Sequence, residues 1–307
     1  MEQQRRRKGR NVNGIVVLDK AQGLSSNAAL QQVKRLYEAN KAGHTGSLDP
    51  LATGVLPLCL GEATKVSQFL LDSDKKYRAR IKLGERTDSG DSAGAVIERS
   101  DSTSIGRQAV ENALEQFRGT ISQVPPMYSA LKVDGVPLYK LARKGKEVER
   151  ESRQITIYSI ELTIFEDSEI ELEVACSKGT YIRTIADDLG QILGCGAHIV
   201  ALRRTQAGVF TEQDCVKREF LESEKERAGL EAIDQLLIPM DSAIDDLPVV
   251  VLPSSTALCI RNGQSVLVRH LPEAGLVRLY DEEQFIGIGC IDDDGKVAPR
   301  RLIATTE

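Results

Sequence analysis

The sequence predicts a mixed α/β (α+β) fold with a largely antiparallel sheet, followed by a small β-domain. Residues 155–165 and 170–176 each alternate between apolar and polar side chains around a short polar turn, which is typical of an antiparallel hairpin. Segments with apolar residues at helical spacing lie on both sides of this hairpin. Residues 248–303 hold short β-branched runs separated by glycine and proline, which is typical of a compact β-domain. The length of 307 residues agrees with two domains at about 150 residues each.

A basic arm opens the chain. Its cations have no apolar neighbours to pack with, so a solvated tail is the simplest interpretation and an arm that contacts phosphates is the alternative. The arm comprises Arg5, Arg6, Arg7, Lys8 and Arg10.

A strand, a helix and an irregular segment follow in that order. Residues 14–20 (GIVVLDK) form an apolar run that predicts a buried strand. Ser25 or Ser26 can cap the start of a helix that runs to about residue 40. Glycines and prolines interrupt any period within 43–61, which predicts a long shaped loop.

Helical spacing resumes at residues 62–71, and strict alternation begins at Tyr77. The alternation continues to Leu83 and predicts a half-buried strand with one apolar and one cationic face. The cationic face carries Arg78, Arg80 and Lys82, which are candidate contacts for a polyanion.

The remaining elements are two helices, a basic segment and a strand. Apolar spacing predicts helices over 104–117 and 182–192, the second with its apolar positions through Ile192 on the buried side. Residues 197–203 predict a further strand. Residues 125–153 carry seven basic and four acidic side chains, a composition suited to gripping phosphates.

The net charge of −5 does not exclude a nucleic-acid partner. Residues 1–211 hold 30 basic against 26 acidic side chains, and the acidic excess is concentrated in two stretches, 212–246 and 281–294. A polyanion responds to the field near its own site rather than to the sum over the chain. We therefore expect these acidic stretches to face solvent, away from any such ligand.

Composition also limits cofactors and location. Six cysteines without a CxxC pair predict reduced thiols and a cytoplasmic protein. Cys195 and His198 have a spacing that a metal could use, but no second cluster accompanies them, so we expect no metal site. No apolar run approaches the roughly 20 residues that span a bilayer, and no signal peptide is apparent. Residues 90–94 (GDSAG) match the GxSxG pattern of serine hydrolases but lack the flanking strand and helix that this motif needs.

Residues 43–54 (GHTGSLDPLATG) are the strongest candidate for chemistry. From the pattern alone, a turn in which Asp49 precedes Pro50 and bonds its own backbone accounts for the segment. The functional alternative is an ionised nucleophile or base on a rigid loop, with flanking glycines that let a ligand approach the backbone. A buried carboxylate needs a cationic partner, and Arg183 is a candidate.

The characteristic loop of the TruB family, the bacterial tRNA pseudouridine-55 synthases, closely resembles residues 43–65, GHTGSLDPLATGVLPLCLGEATK. The similarity extends through four further stretches in the family's order and covers nearly the whole chain. These are DKAQGLSSNAALQQVKRLYEANKAGH, PPMYSALKVDGVPLYKLARKG, CSKGTYIRTIADDLG and the RRT that begins at Arg203. The C-terminal 60 residues resemble the family's small PUA-like domain more loosely.

The resemblance implies an active site around Asp49, which matches the catalytic aspartate of these enzymes. It would act covalently while the N1 glycosidic bond of uridine breaks, the base turns and C5 bonds to C1′. Attack on C1′, attack on the base and a glycal intermediate are all open routes. Tyr77 matches the tyrosine that stacks against the uracil and takes part in removing the C5 proton, and Arg183 matches the arginine paired with the aspartate.

Four more residues match family positions that bind the substrate. Tyr181 and Leu202 would line the uracil pocket, and His44 would help to hold the flipped-out nucleotide. Lys20 would contact phosphate near the same site. Taken alone, Tyr181 and Leu202 are more often core side chains and His44 a surface histidine, and Lys20 fits a solvated strand end.

The resemblance predicts an enzyme that isomerises uridine 55 in the T-loop of tRNA, without metal or cofactor. It implies a catalytic domain over residues 1–247, with an RNA-gripping insertion at about 125–153, and a PUA-like RNA-binding domain over 248–307. We expect a monomer with tRNA as its partner, gripped at T-loop and stem, with no membrane association and no obligate protein partner. The alternative is a noncatalytic RNA-binding or tRNA-folding protein on the same scaffold, which would not need a carboxylate facing a polyanion.

Overall fold

A computed structural model describes residues 9–304, in which the strands form two main sheets and two short hairpins. The strands are β1 Gly14–Lys20, β2 Ala42–His44, β3 Thr53–Leu60, β4 Lys75–Leu83, β5 Glu85–Thr87, β6 Val96–Arg99, β7 Gly119–Gln123, β8 Lys132–Val133, β9 Val136–Pro137, β10 Arg153–Glu166, β11 Glu169–Cys176, β12 Ala197–Ala207, β13 Phe210–Thr211, β14 Val249–Leu252, β15 Val266–Leu267, β16 Gly275–Asp281, β17 Gln284–Ile291 and β18 Lys296–Leu302. The α-helices are α1 Ser26–Leu36, α2 Ser67–Asp72, α3 Arg107–Leu114, α4 Leu138–Ala142, α5 Ile182–Ile192, α6 Arg218–Asp234 and α7 Ser254–Arg261. Short 3₁₀ helices occupy Gly61–Lys65, Glu115–Phe117, Glu212–Asp214 and Met240–Ile244. Of the basic arm, residues 5–8 lie outside the described part of the chain.

The first sheet has nine strands in the order β1-β3-β12-β4-β11-β10-β7, with β2 beside β3 and β13 beside β12. Strands β12 and β3 run parallel to each other, and the other paired strands of this sheet are antiparallel. The hairpin β10–β11 is the one predicted from the alternating pattern. The predicted mixed and largely antiparallel fold is confirmed.

Both faces of β1 are buried. Val16 and Leu18 pack into the core that the sheet shares with α1, α3 and α5. Ile15 and Val17 pack on the opposite face with Val66 of the connection before α2. Because neither face meets water, the strand is apolar from Ile15 to Leu18, and the predicted bounds 14–20 are confirmed.

The expected long loop at 43–61 is wrong, because all of β3 and most of β2 lie within it. Pro57 lies inside β3, opposite Val17 of β1. Its carbonyl accepts a hydrogen bond from Thr45, just beyond the end of β2. The N–H that proline lacks would point to the same side, where the partner strand has already ended. A proline is therefore tolerated here, and only residues 45–52 form the loop.

The expected cationic face of β4 is neutralised by acidic neighbours. Arg78 pairs with Glu173 at 3.1 Å and Arg80 with Glu169 at 2.6 Å, both glutamates being on the adjacent β11. Lys82 pairs with Glu85 at 3.0 Å. Their contact with a polyanion stays a prediction, and a phosphate would have to compete with these carboxylates. Alternation within one strand identified the face but not the acidic strand that lies beside it.

Two helix predictions need correction at their ends. Helix α1, capped by the Ser25 hydroxyl, ends at Leu36 rather than near residue 40, since Glu38 takes a left-handed backbone conformation. Ile192 at the end of α5 is exposed, and the partly buried Leu193 packs against the core instead.

Helix α6 covers the end of α1 and places part of the acidic stretch in the core. Leu221 and Ile233 of α6 are fully buried. Arg10, the described member of the basic arm, binds Asp234 and the carbonyl of Tyr37 (2.7 Å). Arg10 is therefore a structural cation rather than a free phosphate contact.

The second sheet, with the order β14-β16-β17-β18-β15, forms the predicted C-terminal β unit. The sequence did not predict α7, whose eight residues bury only Ala257 and Ile260. Ile288 of this unit packs in the same core as Ile15 and Val17 of β1. Lys65, before α2, donates a hydrogen bond to the carbonyl of Leu302 at 2.7 Å. Within residues 9–304, no helix is long and apolar enough to cross a membrane.

Replacing Tyr37 with phenylalanine should lower the free energy of unfolding by about 1 to 3 kcal/mol. The buried Tyr37 hydroxyl donates to the carbonyl of Ile233 at 2.8 Å, and this carbonyl would lose its partner. Urea unfolding at equilibrium measures the change. Tyr158→Phe is the control, because the exposed Tyr158 hydroxyl, bonded to Asp74, should contribute less than about 0.5 kcal/mol. Equal stability of Tyr37→Phe and the wild type would contradict this account.

Candidate active site

The loop at 45–52 presents Asp49 to a cavity of about 380 Å³. The Ser26 hydroxyl at the start of α1 accepts from the backbone N–H of Leu48 (2.7 Å) and donates to its carbonyl (3.1 Å). The carbonyl of Pro50 accepts from the N–H of Gly23 at 2.7 Å. These contacts hold the loop from both sides of Asp49.

Gly54 makes room for Arg204 of β12, whereas Gly46 lines the cavity. A Cβ at Gly54 would lie 2.2 Å from the carbonyl oxygen of Arg204. A Cβ at Gly46 would lie 3.6 Å from the Arg204 guanidinium, and Gly46 has a φ of +109° that side chains rarely adopt. The expectation that the flanking glycines admit a ligand to the backbone is therefore wrong for Gly54, since β12 fills the space beside it.

Arg183 forms a bidentate ion pair with the carboxylate of Asp49. Its Nε lies 2.9 Å from Oδ2 and its Nη2 lies 3.2 Å from Oδ1. The Arg183 side chain is 5% exposed and that of Asp49 is 37% exposed, so the carboxylate faces the cavity while the guanidinium lies behind it. Burial raises the pKa of Asp49 above its ordinary value, against the opposing effect of Arg183.

The other donors of Arg183 are bonded to backbone. Nη1 donates to the carbonyl of Ser89 at 2.9 Å, and Nη2 donates to the carbonyl of Tyr128 at 2.7 Å. The buried carboxylate of Asp91 lies 3.9 Å from Nη1 and accepts from the Ser89 hydroxyl at 2.7 Å. Asp91 belongs to the GDSAG segment, whose sequence stood out only for its match to the GxSxG pattern of serine hydrolases. Its pairing with Arg183 was not predicted.

Gln123 clamps the peptide of Tyr181, the residue before α5. Its amide donates to the Tyr181 carbonyl at 3.1 Å and accepts from the Tyr181 N–H at 2.8 Å. Gln123 is buried, and α5 begins at the next residue, with Arg183 in its first turn. Gln123 therefore fixes where the helix starts and how Arg183 reaches Asp49. No sequence signal for it was recognised.

Tyr77, Tyr181 and Leu202 all line the cavity with Asp49 and Arg183. Tyr77 of β4 lies two positions before Ala79, which pairs with Leu202 of β12. Burial raises the pKa of the Tyr77 phenol above its ordinary value. The structure thus brings five of the seven sequence-predicted site residues to one cavity.

Lys20 and His44 lie outside the cavity lining. The ammonium group of Lys20 is fully buried and donates to the carbonyls of Ala21 (2.9 Å) and Leu24 (2.7 Å). Burial lowers the pKa of Lys20 to about 8. The lack of exposed surface argues against the expected phosphate contact of Lys20, which stays a prediction. Burial also lowers the pKa of His44, at the end of β2.

Lys75 and Arg204 line the cavity and were not among the predicted site residues. Lys75 donates to the carbonyls of Leu70 (3.2 Å) and Leu71 (2.8 Å) near the end of α2, and burial lowers its pKa to about 8. Strand β4 begins at Lys75, two residues before the apolar and cationic alternation that starts at Tyr77, so the pattern did not include it. Across residues 9–304, no group of three His, Cys, Asp or Glu side chains could hold a metal ion.

Family models match three consecutive parts of the chain. Residues 34–182 match "TruB family pseudouridylate synthase (N terminal domain)". Residues 183–245 match "tRNA pseudouridylate synthase B C-terminal domain", and residues 248–303 match "Pseudouridine synthase II TruB, C-terminal".

Full-length relatives agree with these matches. The chain is 56% identical to tRNA pseudouridine synthase B of Aliivibrio fischeri (strain MJ11), covering 97% of each chain. It is 53% identical to the protein of the same name from Serratia proteamaculans (strain 568), again covering 97% of each chain.

Among solved structures, the fold is similar to a Cbf5-Nop10-Gar1 complex, with a TM-score of 0.70, 26% identity, and coverage of 96% of this chain and 84% of that chain. It is also similar to an H/ACA RNP bound to a substrate RNA containing 2′-deoxyuridine, with a TM-score of 0.72 and coverage of 95% and 85%. At 24% identity, this second likeness concerns the fold alone.

The carboxyl group of Asp49 should titrate above the ordinary value of 3.8, because burial outweighs its ion pair. Arg183→Gln should move the midpoint higher still, since it removes the nearest cation. NMR titration of ¹³C-carboxyl-labelled aspartates measures both, and the missing signal in Asp49→Asn identifies the resonance. Arg86→Gln is the control. Arg86 pairs with Asp187 of α5, the helix that also carries Arg183, so this replacement should leave the midpoint of Asp49 unchanged. An Asp49 midpoint at or below 3.8 would contradict the burial argument.

Proposed function

Since this chain belongs to the TruB family of pseudouridylate synthases, we propose that it converts uridine 55 in the T-loop of tRNA to pseudouridine. In this isomerisation the N1–C1′ bond breaks and a C5–C1′ bond forms. C5 loses its proton and N1 gains one, so the product has the composition of the substrate. The reaction needs no net oxidation and no second substrate.

One observation carries the proposal: a carboxylate faces a cavity of nucleobase size while a buried arginine holds it from behind. The Asp49 carboxylate is fixed by two contacts to Arg183, and its remaining exposed surface faces the cavity. The volume of about 380 Å³ lies in the range of small-molecule pockets, so it suits one base and excludes a duplex. A fixed carboxylate of this kind can attack or deprotonate without reorganisation.

The cavity walls support a flipped-out pyrimidine. An atom inside a base stack cannot reach Asp49, so the nucleotide has to leave the stack at a cost of a few kcal/mol. The ring of Tyr77 offers a stacking surface, and Leu202 and Tyr181 close the pocket around the base. Tyr77 is also the group we assign to removal of the C5 proton. His44 would hold the nucleotide from the end of β2.

Lys20 contributes through its charge rather than through a phosphate contact. Its buried ammonium lowers the pKa of Asp49, as Arg183 does, and both favour the ionised carboxylate. The presence of these cations distinguishes the enzyme from a noncatalytic RNA-binding protein. A protein that only bound RNA would gain nothing from an ionised carboxylate beside a polyanion.

The proposal includes the division of the chain and its setting. Residues 1–247 would form the catalytic domain, and 248–307 a PUA-like RNA-binding domain. The free cysteines of the described residues suit the cytoplasm, where thiols stay reduced. We propose that the protein acts there as a monomer, with tRNA as the one partner that its reaction requires.

Asp49→Asn should reduce pseudouridine formation on the order of 10³-fold or more, because the nucleophile or base is lost. Tritium release from a T-loop transcript labelled at C5 of uridine measures the reaction. Affinity for tRNA should stay within about three-fold of wild type, since phosphate contacts supply most of it. Asp72→Asn is the control, because Asp72 is an exposed carboxylate paired with Lys178. Undiminished tritium release by Asp49→Asn would rule out the proposed role of this residue.

We assign the RNA phosphate contacts to a group of surface cations that have no acidic partner. Four exposed cations in and after α4 have no carboxylate within 4 Å among the described residues: Lys140, Arg143, Lys144 and Lys146. Those on β4 already pair with glutamates. An unpaired cation releases condensed counterions when it binds a phosphate, whereas a paired cation must first lose its partner. We therefore place the phosphate contacts on the segment around α4.

Replacing Lys140, Arg143, Lys144 and Lys146 with glutamine should flatten the salt dependence of tRNA affinity. Each lost phosphate contact lowers the slope of log K against log salt by about 0.7 to 0.9, or about three units for all four. Filter binding between 50 and 300 mM salt measures the slope. Arg78→Gln with Arg80→Gln is the control and should leave the slope unchanged. A four-residue variant with the wild-type slope would contradict this placement.

A further inference from the structure

Arg204 is a buried cation without an acidic partner. Its side chain is 1% exposed, and no carboxylate of the described residues lies within 4 Å of its guanidinium. Its neighbour Arg203, by contrast, pairs with Asp19 at 3.0 Å and with Glu212. A buried charge costs several kcal/mol unless it is compensated. An apolar side chain of similar volume would avoid this cost, so the structure needs what the guanidinium does.

The Arg204 guanidinium joins the strand β12 to the loop that carries Asp49. Nε donates to the carbonyl of Val55 in β3 at 2.7 Å, and Nη2 donates to the carbonyl of Gly46 at 3.3 Å. Gly46 lies at the start of the loop and Val55 lies just after its end. One rigid, planar group therefore holds both ends of the segment that presents Asp49.

Arg204 also faces Tyr77 across two neighbouring strands. The two residues are direct partners in the antiparallel pairing of β12 with β4. Directly opposed residues point to the same face of a sheet, with their Cβ atoms about 5 Å apart. Both side chains line the cavity. Burial raises the pKa of the Tyr77 phenol, and the adjacent Arg204 charge acts in the opposite direction.

We propose that Arg204 is a positioning residue that sets the separation between the Tyr77 phenol and the Asp49 loop. The inference rests on the proposed function, because it assigns the two held groups to opposite sides of the same uracil. Tyr77 belongs to β4 and Asp49 to the loop before β3, and β12 lies between these two strands. Arg204 is the side chain of β12 that reaches both. Its charge also lies beside the Tyr77 phenol and favours the ionised form, the only form that can accept the C5 proton.

The test compares Arg204→Met, Arg204→Lys and a matched variant, Arg203→Met. Single-turnover tritium release gives the rate of the reaction, and filter binding gives tRNA affinity. Arg204→Met should slow the reaction about 100-fold, the effect of a misplacement near 1 Å, with affinity within about three-fold of wild type. Arg204→Lys keeps the charge but cannot span both carbonyls, so it should lose about ten-fold. Arg203→Met, whose partners are Asp19 and Glu212, should stay within about three-fold of wild type.

A double-mutant cycle with Tyr77→Phe separates positioning from a loss of stability. If Arg204 acts through the Tyr77 hydroxyl, Arg204→Met should slow Tyr77→Phe much less than it slows the wild type. A rate for Arg204→Met equal to that of wild type, or effects that multiply fully in the double variant, would overturn the inference. Should Arg204→Met not fold in urea unfolding, Arg204→Lys decides, and a wild-type rate for it overturns the inference too. Absence of tritium release by the wild type would overturn the proposed function instead.

Discussion

The ion pair between Arg183 and Asp49 joins the start of α5 to the loop between β2 and β3, two segments 134 residues apart. A carboxylate in a cavity costs free energy unless a cation compensates it, and arginine does so in a fixed bidentate geometry. Much of the surrounding structure serves this contact. Gln123 fixes the peptide before α5, the carbonyls of Ser89 and Tyr128 hold the guanidinium, and Ser26 holds the loop. The ionised carboxylate is thus kept ready at the surface of the cavity.

The order of strands in the first sheet brings the other walls to this carboxylate. Strands β3, β12 and β4 are neighbours near its centre, although they lie far apart in the chain. The parallel pairing of β12 with β3 places Arg204 against Gly54, so the Asp49 loop leaves the sheet beside Leu202 and Tyr77. Gly54, just after the loop, permits this close approach of two strands. Its lack of a side chain is a packing requirement before it is a functional one.

Ion pairing, rather than the total number of charges of each sign, determines which surface cations are available to an RNA. The arginines of β4 face glutamates of β11, and Arg10 is bound to Asp234. The exposed cations around α4 have no such partners among the described residues, which makes that segment the natural site for phosphates. The net charge of −5 therefore says little about the surface that an RNA would meet. Inside the cavity, Arg204 and Lys75 add positive charge, and neither forms an ion pair with a carboxylate of the described residues.

The sequence by itself determined the local elements and the chemistry of the key groups. Alternation predicted β4 and the hairpin β10–β11, and the apolar run at 14–20 predicted β1, because a strand's pattern reflects which of its faces are buried. Resemblance to the TruB family pointed to Asp49, Tyr77, Arg183, Tyr181 and Leu202, which the fold brings to one cavity. Their catalytic roles and the division at residue 247 remain predictions.

Tertiary structure alone decided which groups meet. The sequence predicted that Pro57 would interrupt a strand. It is tolerated in β3 because β2 ends beside it, so the sheet does not need the N–H that proline lacks. From the sequence, Lys20 and Arg78 were both candidates for phosphate contacts. In the fold the ammonium group of Lys20 is buried, and Arg78 pairs with Glu173 of β11. The roles of Gln123, Asp91 and Arg204 could not be predicted, because each depends on contacts with residues distant in the chain. Local sequence encodes burial and periodicity, whereas such contacts exist only once the strands have taken their order in the sheet.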